Sequence, residues 1–145
     1  MTDMLALQRK TAFAAALLML FGLLTGIFVS AAMTGKVNAD PHAALASHLN
    51  ALLGSLWLVA VAFTLPMLRF SVVGARRLVV LVIVGNVGNW LITALKAFWH
   101  VAGVDKTGER QNDTIFGLLT AFVVLPSLVA AAAWVYGLTG KPRTA

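Results

Sequence analysis

The sequence predicts an all-α integral membrane protein, built as a four-helix transmembrane bundle. Three observations predict it. Of 145 residues, 60% are hydrophobic and 11% are charged, against roughly half and a quarter in an average soluble domain. The mean hydropathy is +0.90. The apolar residues gather into four runs, each near the length of about 20 residues that crosses a hydrocarbon layer as a helix. No run alternates apolar and polar residues as a barrel strand does. In lipid that leaves helices, which satisfy every backbone polar group internally. A chain of this length is expected to form one transmembrane domain, residues 1–145.

The first span runs over about 11–33. It has no clear small-residue cleavage motif, so it is expected to stay in the membrane. "TGKVNADP" (34–41) reads as a turn, with Pro41 opening the next helix. The second span covers about 44–68 and "RFSVVGARR" (69–77) is a basic turn. The third covers about 78–99, and "HVAGVDKTGERQND" (100–113) is a polar loop before the fourth, about 114–138. Pro66 and Pro126 are expected to kink or end their helices. Gly22–Gly26 and Gly85–Gly88 offer small surfaces for close helix contact.

Charge sets the orientation. One side carries Arg9, Lys10, Arg69, Arg76, Arg77, Lys141 and Arg143 against Asp3. The other carries Lys36, Lys96, Lys106 and Arg110 against Asp40, Asp105, Glu109 and Asp113. The cation-rich side is the cytoplasmic one, so both termini are expected inside a multi-pass protein of the inner, cytoplasmic membrane. The net charge of +6 does not point to nucleic acid, because the cations sit at the ends of apolar runs, where a membrane surface attracts them.

Composition also narrows the chemistry. With no cysteine, disulfides, thiolate ligands and a thiol nucleophile are excluded. All five carboxylates lie outside the spans or at their margins, which argues against an in-membrane glutamate base and an aspartate-driven pump. No G-x-G-x-x-G follows a strand, so no nicotinamide site is expected.

Polar residues inside the spans are costly and therefore informative. On the second helix, Ser47, Asn50 and Gly54 follow helical spacing, and His48 lines up with Ser55. On the third, Asn86, Asn89, Thr93 and Lys96 share a stripe, with Trp57, Trp90, Phe98 and Trp99 among the neighbouring aromatics. Such asparagines and serines can be no more than interhelical glue. Lys96 can snorkel to the interface. Trp99 and Trp134 read as interfacial belt residues. His42 reads as solvated, and His100 suits the carbonyl end of the third helix. His48 is placed just over a turn inside its helix. It is open to three readings: a satisfied core imidazole, a proton shuttle or a metal ligand, for which haem is the natural partner. No His-x-x-His or Glu-x-x-His pattern exists, so a protein-only zinc or di-iron site is not expected.

Three segments resemble the hydroxylaminobenzene mutases, small membrane enzymes that turn an arylhydroxylamine into an ortho-aminophenol. They are "RKTAFAAALLMLFGLLTG" (9–26), "SHLNALLGSLWLVAVAFTLPML" (47–68) and "GNWLITALKAFWHVAG" (88–103). The likeness runs from about residue 8 to 138. A more distant resemblance is to the styrene oxide isomerases, which carry a helix-two histidine followed by "VAFVLP", here "VAFTLP" (61–66), and "SNVG" where this chain has "GNVG" (85–88). That family is a trimer with ferric haem b between protomers, ligated by the histidine. The resemblance thus implies His48 as iron ligand, Asn86 as a pocket residue, haem b as cofactor and a homotrimer with haem at the protomer interface. Where the isomerases have tyrosine, asparagine and aspartate, this chain has Trp90, Gly54 and Val82. Those substitutions count against epoxide chemistry and leave the ligand position intact.

The function expected is an intramolecular hydroxyl shift on a small aromatic substrate. Asn50, Asn86 and Asn89 are candidates to hydrogen-bond the migrating oxygen, and Trp90 to stack on a cationic ring. Aryl epoxide isomerisation to an aldehyde is the first alternative. A bis-histidine haem held by His48 and His100 in an electron-transfer subunit, and a subunit with no cofactor, are the others.

Overall fold

The computed structural model describes residues 2–140. The two cations Lys141 and Arg143, counted above for orientation, lie outside the described residues. Most of the described residues are helical: α1 (Thr2–Met33), α2 (Pro41–Thr64) with a short 3₁₀ turn (Leu65–Met67), α3 (Val72–Trp99), α4 (Arg110–Leu119), a π-helical turn (Thr120–Val124) and α5 (Leu125–Leu138). Four continuous stretches are long and apolar enough to cross a membrane: Asp3–Met33, Pro41–Met67, Val72–Trp99 and Arg110–Leu138. The fold class expected from composition is the one observed.

The expected spans end where the helices end or within a residue of it, but every helix begins earlier. Hydropathy sees only the lipid-facing residues, whereas a helix continues outward until a cap stops it. At α2 the cap is Asp40, whose Oδ1 accepts from Ala43 N at 2.6 Å, with Pro41 in the first turn. At α3 it is Ser71, whose Oγ accepts from Gly74 N. The basic turn thus shrinks to a few residues, and Arg76 and Arg77 already lie on α3. His100 closes α3 in the left-handed region (φ 52°, ψ 37°) and donates its backbone N–H to Lys96 O.

The prolines act at two helix discontinuities. Pro66 sits in the 3₁₀ turn that ends α2. Pro126 has no N–H, so the Phe122 carbonyl four residues back loses its α-helical donor. The fourth helix widens there into the π turn. Gly88 of α3 packs on the Phe122 carbonyl, and a methyl group added at Gly88 would lie 3.2 Å from that oxygen.

Helix α2 is the centre of the bundle, flanked by α1 and α3, while α4 and α5 pack on α3. Leu58, Val61, Leu65, Leu68, Leu78 and Val82 form the buried core between them. At the end carrying Thr64 and Arg69, α5 is tied across to α2 and its 3₁₀ turn. Trp134 Nε1 donates to Thr64 Oγ1 at 2.9 Å, and Arg69 N donates to Gly137 O at 2.9 Å. Trp134, read above as a belt residue, is therefore a half-buried interhelical clamp. At the other end, Asn112 folds the polar loop: its Oδ1 accepts from Gly103 N and its Nδ2 donates to Asp105 O, both at 2.7 Å.

The approach of α1 to α2 is set at Gly22. A methyl added there would lie 2.9 Å from Leu52 Cδ2 and 3.0 Å from Ala51 Cβ. Gly22→Leu is expected to force the helices apart and cost about 1–3 kcal/mol. Gly117→Ala, where nothing lies within 4 Å, is expected to leave stability unchanged or slightly raised. Thermal unfolding of the two variants in detergent checks both.

Candidate functional site

His48 sits on the α2 face turned toward α1. Its Nδ1 lies 2.7 Å from Gly22 O. A carbonyl only accepts, so Nδ1 carries a proton, and in the neutral ring Nε2 holds the lone pair. Nε2 has no hydrogen-bond partner among the described residues. Gly26, one turn along α1, makes room for the ring: a methyl there would lie 3.5 Å from Cε1, an ordinary contact. The glycine pair that the sequence presents as a packing surface is thus also the seat of the imidazole. The ring is half-buried, with Leu45 and Leu52 one turn to either side on its own helix. Seven residues separate it from Pro41, so it lies about 10 Å, nearly two turns, inside α2. That is deeper than expected, because α2 begins earlier.

This arrangement fits a haem and does not fit a bare metal ion. Among the described residues no group of three His, Asp or Glu side chains could hold an ion. A porphyrin brings its own four nitrogens and asks the protein for one axial donor. An imidazole whose other nitrogen is tied to a carbonyl is the usual form of such a donor.

The other expected site residues fall in two places. Trp90 belongs with His48's side of the bundle. Its Nε1 donates to Thr25 Oγ1 at 3.0 Å, Thr25 Oγ1 donates to Phe21 O at 2.7 Å, and Ser47 Oγ donates to Trp90 O at 2.9 Å. Its ring stacks on Phe21 with centroids 5.3 Å apart and planes at 18°. Asn86 bonds within its own helix, Nδ2 to Val82 O at 2.8 Å, and packs against Gly54, where a methyl would lie 2.6 Å from its Oδ1. Asn50 and Asn89 lie elsewhere. Asn50 Nδ2 donates to Asn89 Oδ1 at 3.0 Å and to Thr93 Oγ1 at 3.1 Å, and Thr93 Oγ1 donates to Asn89 Oδ1 at 3.3 Å. Two residues apart on a helix means a turn of about 200°, so His48 and Asn50 face opposite ways. One chain does not gather His48 with Asn50 and Asn89.

The remaining polar positions are accounted for. Ser55 Oγ donates to Leu52 O of its own helix at 2.6 Å. Lys96 and Trp99 are half-buried near the end of α3, and His42 is exposed. Thr25 and Phe21, which position Trp90, carry no sequence signal of their own: one threonine and one phenylalanine in an apolar run look like any others. Their role depends on a contact between α1 and α3.

The register also bears on the bis-histidine alternative. Ser47 lies beside Trp90, so His48 is level with that part of α3, and His100 is ten residues further on, about 15 Å along the axis. The two rings of one chain do not meet at one iron.

The seat makes a prediction. Gly26→Ala is expected to leave His48 as the Nδ1–H tautomer, whereas Gly26→Leu pushes the ring off the Gly22 carbonyl and mixes the tautomers. The ¹⁵N chemical shifts of the imidazole distinguish the two states.

Comparison with known proteins shows the family. The family model described as styrene oxide isomerase matches residues 7–139. Hydroxylaminobenzene mutase HabB from Ectopseudomonas oleovorans is 29% identical over 133 residues, covering 86% of this chain and 77% of that protein. No solved structure matches. A four-helix membrane bundle matched by that family model over nearly its whole length, the chain belongs to the styrene oxide isomerase family of membrane isomerases.

Proposed function

We propose that the protein isomerises an arylhydroxylamine, hydroxylaminobenzene in the simplest case, to the ortho-aminophenol. The observation that carries the reading is the His48–Gly22 bond, which leaves Nε2 as a free, oriented donor. His48 would hold ferric haem b through that nitrogen. Bound there, the haem would supply a Lewis acid with one open coordination position, able to draw electron density from an N–O oxygen.

The chain's own residues do the rest. The Gly22 carbonyl accepts from Nδ1–H and fixes the orientation of the imidazole. Trp90, held by Thr25, Ser47 and Phe21, offers an indole face that stabilises positive charge spreading into an aryl ring. The apolar core around it keeps water from a cationic ring. The reaction balances without an external oxidant or reductant: the N–O bond breaks, a C–O bond forms at the ortho carbon, and the ortho proton ends on nitrogen.

Two features favour this substrate over an aryl epoxide. The tyrosine of the isomerases is Trp90 here, with its one N–H already given to Thr25. Their helix-two asparagine is Gly54 here, and the space beside it is filled by Asn86. The epoxide-to-aldehyde reaction stays as the second reading, because the matching family model carries that name. The proposal includes a homotrimer with haem between protomers, in the cytoplasmic membrane with both termini inside. Its supports are the outward apolar face of the fourth helix, whose most hydrophobic window is 11% buried against 39% in the second, and the basic turns described above.

Purified protein given hydroxylaminobenzene and styrene oxide in parallel is expected to yield ortho-aminophenol from the first and little aldehyde from the second. The reverse outcome would establish the epoxide reading instead. His48→Ala is expected to lose the haem absorption band and to drop turnover to background. Full activity in haem-free protein would overturn the mechanism.

A further inference from the structure

The Asn50–Asn89–Thr93 cluster is left unused by this mechanism, and it is incomplete. Three hydrogen bonds tie it together. They use both Asn50 Nδ2 protons, Asn89 Oδ1 and the Thr93 hydroxyl. Asn50 Oδ1, an acceptor, and Asn89 Nδ2, a donor, take no partner among the described residues. Neither atom is sealed in the core, since no buried side-chain nitrogen or oxygen of the described residues lacks a partner. Both atoms therefore keep some exposure.

Their depth makes this unusual. Asn50 is nine residues into α2 and Asn89 ten residues short of the end of α3, about 14–15 Å along each helix. That is near the middle of a hydrocarbon layer about 30 Å thick, where lipid offers neither donor nor acceptor. The cluster lies where α2 and α3 meet, on the side of α2 away from α1. There the fourth helix packs on α3 and leaves α2 to be reached by α5 at the Thr64 end. Half-buried Trp57 lies two turns from Asn50 on the same face of α2.

We propose that Asn50, Asn89 and Thr93 form a second small-molecule site, distinct from the His48 seat, that binds a neutral aromatic carrying a donor and an acceptor on neighbouring atoms. Neutrality follows from the depth, because no charge among the cluster's side chains compensates an ion there. The donor–acceptor pairing follows from the two open amide atoms. Among such molecules the choice rests on the mutase reading: ortho-aminophenol presents amine and hydroxyl on adjacent carbons, and the arylhydroxylamine presents N–H and O–H on bonded atoms. The site serves as a holding station on the side of α2 opposite the His48 imidazole.

The test is calorimetric titration of ortho-aminophenol into the full chain in lipid nanodiscs, with benzene, which has neither group, as control. His48→Ala is expected to retain this binding component. Asn50→Leu and Asn89→Leu are expected to weaken it by about tenfold or more, in the His48→Ala background as well. Thr93→Val, which keeps the shape and removes the hydroxyl that bonds both amides, is expected to weaken it severalfold, beyond any shift in thermal unfolding measured on the same sample. Wild-type binding in Asn89→Leu and Thr93→Val overturns the proposal, as does loss of all binding in His48→Ala. The mutase reading fails separately. If the wild type shows no turnover of hydroxylaminobenzene but ortho-aminophenol still binds through Asn89, that reading falls and the site stands. If turnover is present but binding is indifferent to Asn89, the reading stands and the site falls.

Discussion

The contact on which the structure depends is the close approach of α1 to α2 over Gly22 and Gly26. At Gly22 even a methyl group would crowd Ala51 and Leu52. In lipid no hydrophobic effect drives helices together, so tight packing and polar bonds between backbones must do so. Here both occur at one place. The missing side chains bring the α1 backbone within reach of α2, and the Gly22 carbonyl, already an acceptor within its own helix, takes a second donor from His48. A larger residue at position 22 would loosen the bundle and move the imidazole in the same step.

From that contact a polar chain runs through the bundle. Ser47, next to His48, donates to the Trp90 backbone, and Trp90 donates to Thr25 on α1. Three helices are thereby fixed around one tryptophan. Hydrocarbon solvates none of these groups, and leaving one unpaired costs several kcal/mol, so each bond also specifies register. The same reasoning explains why the fourth helix can carry a π turn. Gly88 lets α3 close over the Phe122 carbonyl that Pro126 leaves without its helical partner.

Substitutions at neighbouring positions act together. Gly54 and Asn86 form a pair: without a Cβ at 54, α2 admits the Asn86 side chain, and with one it would not. Trp90 fills its place with a flat indole whose single polar atom is spent on Thr25. Beside the imidazole itself stand the two glycines of α1.

Much was determined by the sequence alone. Four apolar runs in a chain with few charges admit one solution, because lipid rejects open backbone polar groups. Asp40–Pro41, Ser71 and His100 mark helix ends by local chemistry, and local chemistry is what a sequence records. The lone deep histidine of the second span was legible as a candidate site residue, with its role left open. What only the tertiary structure decided is which groups share a face across helices. Periodicity put Asn50 and Asn89 on polar stripes, but it could not say that they bond each other and share Thr93. Nor could it say that Asn86 turns back to Val82. The glycines at 22 and 26 read as a packing surface, and their second role as the seat of His48 appears only when α2 is laid against α1. Contacts of that kind join residues 26 to 65 positions apart, and no local signal in a single chain encodes the register between two helices.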